Sequence, residues 1–472
     1  MKYQSTRGGV TGISFKDAVL MGLADDGGLL VPESIPNVSA ELASWQGYSY
    51  TQLALEVMSR FIDDIPRPAL QQIIDKSYST FADPLVTPLI PLGDHHLLEL
   101  FHGPTLAFKD IALQFLGNVF EYILEERGHS INILGATSGD TGGAAIAGVR
   151  GKHNISIYIM FPEGKTSPLQ ELQMTSVLDA NVHNIGIHGS FDDCQKLMKD
   201  IFSDLPFKQR YSLAAVNSVN WTRVLAQVVY YFSAWYQRGC PEQFDVCVPT
   251  GNFGNIFAGY IAREMGLPIR RLILATNAND ILCRFFNTGV YARHEVQFTH
   301  SPAMDIQISS NFERYLFYRL ARSPAKVRAF MQSFSDTGSA ALSPSASGVD
   351  DAVDDIADDI VDDVIVAGSA SNAATLDTIK RVYADHGYVC DPHTAVGLAV
   401  MAEFHDTQVP LVCLSTAHPA KFEDVMREAL PKVLATHPTL EALRLLPTRK
   451  TVLETTETDV KAFIEAAGQR GA

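Results

Sequence analysis

The sequence predicts an α/β fold of open, mainly parallel sheets covered by helices, preceded by a mainly helical N-terminal region. Three observations predict it. From residue 131 onward a short apolar run, a glycine-bearing loop and a helical pattern follow one another, and that order recurs several times. Before residue 92 the periodicity is helical and is interrupted by Gly-Gly and Pro-rich breaks. With 46% apolar residues in 472, the chain also has ample material for the cores of two or three domains.

Charge and cysteine content narrow the function classes. There are 37 Lys plus Arg against 53 Asp plus Glu, a net charge of −16, so no basic excess exists to neutralise a nucleic-acid backbone or an acidic membrane. The six cysteines are scattered without Cys-x-x-Cys pairs or matching histidine spacing, which predicts buried reduced thiols and no metal site. The N-terminus lacks an apolar signal core and no run is long enough to cross a bilayer, so a cytoplasmic location is expected.

Taken in order, residues 15–23, 50–61 and 68–78 have helical periodicity. Residues 25–32 read as a turn with an acidic pair followed by an extended piece, and 89–101 as a hairpin. A helix is expected from Lys109, with Ile111, Phe115, Val119 and Ile123 on its apolar stripe. Four strand–loop–helix units follow: 131–134 through 135–143, 155–161 through 162–167, 213–216 through 217–223, and 246–249 through 250–255. Residues 272–276 form another expected strand. Ser310 and Glu313 have capping-box spacing. Aspartate pairs recurring every four residues over 350–363 predict an amphipathic helix with an acidic face, since a calcium loop needs ligands at alternate positions around a glycine. A strand at 363–367, a helix at 373–386, a further helix opened by the stretch 387–397, and a buried strand at 410–414 complete the reading, and the tail from residue 436 reads as peripheral.

The stretch that carries chemistry is His102-Gly-Pro-Thr-Leu-Ala-Phe-Lys109-Asp. It places one lysine at the junction of a Gly-Pro turn and a mostly buried helix. Desolvation and the helix N-terminus favour a neutral amine there, as an imine-forming lysine requires. Two downstream loops, Ser138-Gly-Asp-Thr-Gly142 and Gly251-Asn-Phe-Gly-Asn255, have the form of anion cradles, in which converging backbone N–H groups meet a helix N-terminus. Either loop alone is common in α/β proteins; the pair downstream of Lys109 is specific.

In this order and spacing the three motifs closely resemble threonine synthases, in the longer form found in fungi and many bacteria, and the likeness runs from Tyr3-Gln-Ser-Thr-Arg7 to Ser415-Thr-Ala-His-Pro-Ala-Lys421. The resemblance implies pyridoxal 5'-phosphate as cofactor, a two-lobed fold of type II, and conversion of O-phospho-L-homoserine and water to L-threonine and phosphate. It implies that Lys109 anchors the cofactor and then serves as base and acid. Gly251, Asn252, Phe253, Gly254 and Asn255 would hold the cofactor phosphate, and Thr416 would meet the pyridine nitrogen. Thr137, Ser138, Gly139, Asp140 and Thr141 would receive the substrate carboxylate, although related enzymes usually have asparagine where this chain has Asp140. For the leaving phosphate, a polar strand-to-helix loop with an arginine suggests Asn217, Ser218, Asn220 and Arg223, with Lys165 second; capping of the following helix is the competing reading. The expected organisation is an N-terminal region 1–92, a catalytic core 93–345 with a mobile lobe at 130–212, and a part 346–472 completing the large lobe. Two other classes stay open at this point. A cofactor-dependent lyase would release 2-oxobutanoate, and a non-catalytic phosphate sensor would have no need of Lys109.

Overall fold

The computed structural model describes residues 1–137, 139–215, 218–342 and 364–468. The chain divides into two compact units. The larger comprises Met1–Leu70, Asp83–His102 and Ser218–Ala435, and the smaller comprises Gln71–Ala82, Gly103–Asn217 and Thr436–Ala472.

Among the described residues, the larger unit is built on a six-stranded sheet with the order Ile365–Ser369, Ile269–Thr276, Phe244–Pro249, Leu411–Ser415, His95–Glu99, Leu89–Leu92. Neighbours are parallel except the last pair, the expected hairpin. Its central strands carry continuous apolar runs, with Val248, Leu272, Ile273 and Leu274 fully buried, as a sheet covered on both faces requires. The smaller unit has a five-stranded parallel sheet in the order Thr451–Leu453, Val182–Ile187, Ile155–Pro162, Ile131–Ala136, Leu213–Ala214. The α/β reading therefore holds in both units.

The N-terminal helices form at Phe15–Met21, Tyr50–Ser59 and Arg67–Tyr78. Tyr3–Ser5 pairs with Leu30–Pro32, and between them the Asp26 carboxylate accepts from Ser5 Oγ at 2.7 Å and from Gly28 N at 2.9 Å, which is turn chemistry.

Three expectations need correction. Residues 346–472 do not form one part: the chain passes into the smaller unit after Ala435. The tail is not peripheral, because Thr451–Leu453 adds a strand beside Val182–Ile187 and the helix Glu457–Gly468 buries Val460 and Ile464 completely, packed with Tyr158, Ile185 and Ile201. The Ser310/Glu313 capping box does not form. The helix Phe312–Arg319 has no side-chain cap, and Glu313 instead receives the Arg7 guanidinium at 2.8 and 3.0 Å and the Thr6 hydroxyl at 2.6 Å. A guanidinium fork from 306 positions away outcompetes a local backbone bond. The acidic stretch 350–363 lies outside the described residues, and the strand expected at 363–367 is Ile365–Ser369. Among the described residues no helix is long and apolar enough to cross a membrane.

Candidate active site

Lys109 is the first residue of the helix Lys109–Arg127, whose first three turns are almost wholly buried. The preceding loop is tied to that helix by its next residue. Asp110 is fully buried, and its carboxylate accepts from Thr105 N at 2.8 Å and from Thr105 Oγ1 at 2.6 Å. A Cβ on Gly103 would fall 2.5 Å from that of Asp110, so only glycine lets the turn lie against the acid. The Gly-Pro-Thr-x-x-x-Lys-Asp pattern is thus a clamp: Gly103 makes room for Asp110, Asp110 holds Thr105, and Lys109 is aimed by the turn between them. The Lys109 side chain is 14% exposed, with Nζ 3.9 Å from Asp140 Oδ2.

Asp140 opens the helix Asp140–Val149. Its Oδ1 accepts from Gln170 Nε2 at 2.8 Å, so the carboxylate faces a donor amide and the Lys109 amine. Both neighbours offer donors, which makes an aspartate tolerable in this loop. The loop before it is folded by Thr137, whose Oγ1 accepts from the N–H groups of Gly139 at 3.0 Å and Gly142 at 3.1 Å. Added Cβ atoms on Gly139 and Gly142 would meet Gln170 Oε1 at 2.6 Å and Thr137 Cγ2 at 2.5 Å. Thr141 lies in the first turn of the same helix, and Ser138 is outside the described residues.

The second glycine loop belongs to the larger unit. It leaves the strand Phe244–Pro249 and enters the helix Gly254–Glu264 through Phe253, which has φ 61° and supplies no side-chain cap. A non-glycine residue in the left-handed region is held there by packing: the Phe253 ring stacks on Phe286 at 6.0 Å and meets Phe312 edge-on at 5.6 Å. Backbone and side chains of 309–311 brace the loop, with Ser309 Oγ donating to Gly251 O at 2.8 Å, Asn311 Nδ2 to Asn252 O at 2.9 Å and Ser310 Oγ to Asn252 Oδ1 at 3.1 Å. Asn255 is 6% exposed, and its Oδ1 accepts from the hydroxyls of Tyr230 and Tyr231. Those bonds fix the amide so that Nδ2 is a buried donor with no hydrogen-bond partner among the described residues. An uncapped helix start and an unsatisfied buried donor side by side fit a phosphate dianion.

Thr416 follows the strand Leu411–Ser415 and is 6% exposed. Its N–H donates to Thr394 Oγ1 at 3.3 Å. Ser218 is hydrogen-bonded to Ser310 at 2.6 Å, which joins it to the Asn252 side of the loop. Asn220 is the N-cap of the helix Trp221–Gln237: Oδ1 accepts from Thr222 N at 3.0 Å and Nδ2 donates to Val19 O at 2.9 Å. Both ends of that amide are engaged in the fold, as the capping reading expects. Arg223 is 6% exposed, and burial pushes its guanidinium down to about 10, still protonated at neutral pH. Four residues along the same helix, Gln227 donates to Arg223 O at 2.7 Å and accepts from Tyr230, three residues further on, which in turn reaches Asn255. Lys165 lies in the turn after the strand Ile155–Pro162, and Asn217 is outside the described residues.

Sequence reasoning missed Asp110, Asn311 and the Asp391-Pro-His-Thr394 group. Asp110 stood beside the lysine, but a buried acid clamping a turn has no periodic signature. Asp391 signals a helix N-cap in the sequence; its bonds to distant groups do not show there.

Comparison with known proteins now identifies the class. Residues 86–330 match the family model for pyridoxal-phosphate-dependent enzymes, with threonine synthase N-terminal and C-terminal models on residues 2–78 and 394–464. Threonine synthase of Schizosaccharomyces pombe is 45% identical, covering 91% of this chain and 89% of its own, and that of Pseudomonas aeruginosa is 44% identical, covering 100% and 99%. The crystal structure of a pyridoxal-phosphate-bound threonine synthase from Brucella melitensis superposes with a TM-score of 0.94 at 44% identity, covering 99% of both chains. The chain belongs to the threonine synthase family.

Proposed function

We propose that this chain is a threonine synthase that converts O-phospho-L-homoserine and water to L-threonine and phosphate. The observation that carries the reading is Lys109, clamped at a helix start by Asp110 and Thr105 with Nζ near Asp140, in a chain of this family. The cofactor fits the residues present: Gly251, Asn252, Phe253, Gly254 and Asn255 offer an uncapped helix start and the free Asn255 Nδ2 to its phosphate. Lys109 would be its covalent attachment point, and Thr416 would be the partner of its ring nitrogen.

Pyridoxal phosphate, when bound, withdraws electrons from the substrate so that carbon-bound protons become removable at Cα and then Cβ. Lys109 takes the Cα proton as general base, and the same amine, returned to position by the Asp110 clamp, serves the later transfers at Cβ and Cγ. Asp140 holds the ammonium form of Lys109 between transfers, so the proton stays beside the substrate rather than passing to water. The loop that Thr137 folds, with Thr141 in the first turn of the following helix, receives the α-carboxylate. For the leaving phosphate we retain Ser218 and Arg223, with Lys165 second. A guanidinium this deeply buried is stabilised by an anion. The chain works in the cytoplasm.

The test is direct. The purified protein is expected to be yellow and to lose that absorbance on borohydride reduction, while Lys109→Ala is expected to fold, bind pyridoxal phosphate weakly and form no threonine. Near-normal threonine formation by that variant would sink the assignment. Release of 2-oxobutanoate by the unmodified enzyme would favour the lyase.

A further inference from the structure

The Asp391-Pro-His-Thr394 group is absorbed by nothing in the reaction as described, yet it is one of the most deeply buried polar clusters of the larger unit: Asp391 and Thr394 are fully buried and His393 is 4% exposed. Its bonds run in two directions. Toward the phosphate loop, Ala303 N donates to His393 Nε2 at 3.2 Å, and Ala303 is the floor on which Gly251 rests, since a Cβ at Gly251 would fall 3.1 Å from Ala303 O and 3.3 Å from Met304 Cα. Toward the other end, Thr394 Oγ1 donates to Asp391 Oδ2, accepts from Thr416 N at 3.3 Å and lies 3.1 Å from Ser415 Oγ.

Proton inventory fixes the histidine. An Nε2 that accepts from a backbone N–H carries no proton, so the ring is neutral and Nδ1–H donates to Asp391 Oδ1 at 2.9 Å. The pair is a hydrogen bond between a neutral imidazole and a carboxylate, not an ion pair. Asp391 is also the N-cap of the helix Pro392–Met401, accepting from His393 N and Thr394 N. Capping accounts for those two bonds. It does not account for the second ring bond to Ala303 or for the Thr394 bond to Thr416.

We propose that His393 is a positioning residue for the cofactor, the centre of a buried relay Ala303–His393–Asp391–Thr394–Thr416 that holds the floor of the phosphate loop and the backbone of Thr416 in one register. The inference rests on the reading that Gly251–Asn255 and Thr416 receive the two ends of pyridoxal phosphate. A relay of this kind makes the distance between phosphate cradle and ring partner a property of buried hydrogen bonds rather than of two separate loops.

The test titrates full-length apoprotein with pyridoxal phosphate, following the absorbance of the bound cofactor, with apoprotein melting as the control. Asparagine reproduces the Nδ1 contact with Asp391 and lacks the reach to Ala303, whereas glutamine places an acceptor near the Nε2 position. His393→Asn and His393→Gln, each keeping only one of the two ring bonds, are therefore expected to weaken cofactor binding on the order of tenfold and displace the absorbance maximum. Thr394→Val, close in shape, cuts the other end and is expected to weaken binding similarly. Wild-type affinity in His393→Asn, in His393→Gln or in Thr394→Val would overturn the relay. Gly254→Val in the same titration separates the two levels: if it binds normally, the reading of the phosphate loop fails, and if it loses the cofactor while His393→Asn keeps it, the relay alone fails.

Discussion

Asp110 carries more of the site than its place beside the lysine suggests. Replacing it with alanine leaves Thr105 N–H and Oγ1, both buried, without their acceptor, at about 1–3 kcal/mol for each unpaired group and some relief by relaxation. Asp110→Ala is expected to lower unfolding free energy by about 2–4 kcal/mol in urea titration and to reduce kcat more than KM, because the amine that moves protons loses its aim. Arg223 makes the opposite case. A cation gripping phosphate in ground and transition states contributes to kcat/KM, and Arg223→Ala should cost on the order of 2–4 kcal/mol there while abolishing competitive inhibition by inorganic phosphate. If inhibition is unchanged in a well-folded variant, the phosphate site lies elsewhere and Lys165 is next. At this scale the sequence displayed residues whose chemistry is local, Lys109 and the glycines. It hid those whose partners are far away: the buried donor of Asn255 exists only because Tyr230 and Tyr231, on another helix, occupy its oxygen.

Helix packing decides where Lys109 stands. The helices Lys109–Arg127 and Asp140–Val149 meet through two glycines, with a Cβ on Gly117 falling 2.0 Å from Gly148 O and a Cβ on Gly148 falling 2.4 Å from Leu113 O. Both obstacles are backbone, so neither can yield by changing a rotamer. Gly148→Ala should therefore cost about 1–3 kcal/mol by overpacking, and it should depress activity by moving Lys109 away from Asp140. Gly143, on the same helix, is the control. Its added Cβ would meet Gln173 Cβ at an ordinary 3.5 Å, so Gly143→Ala is expected to be neutral or stabilising by up to about 1 kcal/mol in the same denaturation series. The helices and strands themselves were largely legible, because apolar periodicity and glycine loops are local signals: the helix expected at 373–386 is Asn372–His386, and the strand expected at 410–414 is Leu411–Ser415. The capping box at Ser310 was misread for a physical reason of another kind. Spacing reports which bonds a residue can make locally, while Glu313 is claimed by Arg7, whose arrival only the tertiary fold determines.

At the scale of the molecule, the C-terminus was the least legible part, since its apolar residues are few and its strand is three residues long. Their value comes from where they land. Thr451–Leu453 covers the edge of Val182–Ile187, Lys450 bridges Glu163 and Glu171 at 2.5 and 2.8 Å, and Val460 and Ile464 seal the helix side of the smaller sheet. Removing residues 436–472 would leave Val182–Ile187 as an open parallel edge beside exposed Tyr158, Leu197 and Ile201, a template for aggregation rather than a trimmed surface. A chain ending at Ala435 is thus expected to be recovered mostly insoluble, and any soluble fraction to be cut by protease first within 103–217. Ile464→Ala tests the same contact without deletion. Loss of a fully buried isoleucine should cost about 2–5 kcal/mol, and protection of amide hydrogens should fall in Ile155–Pro162 and Val182–Ile187 while Phe244–Pro249 and Ile269–Thr276 keep theirs. Uniform loss across both sheets would show that the two units unfold as one, and no loss in either would show that the tail is the decoration its composition suggests.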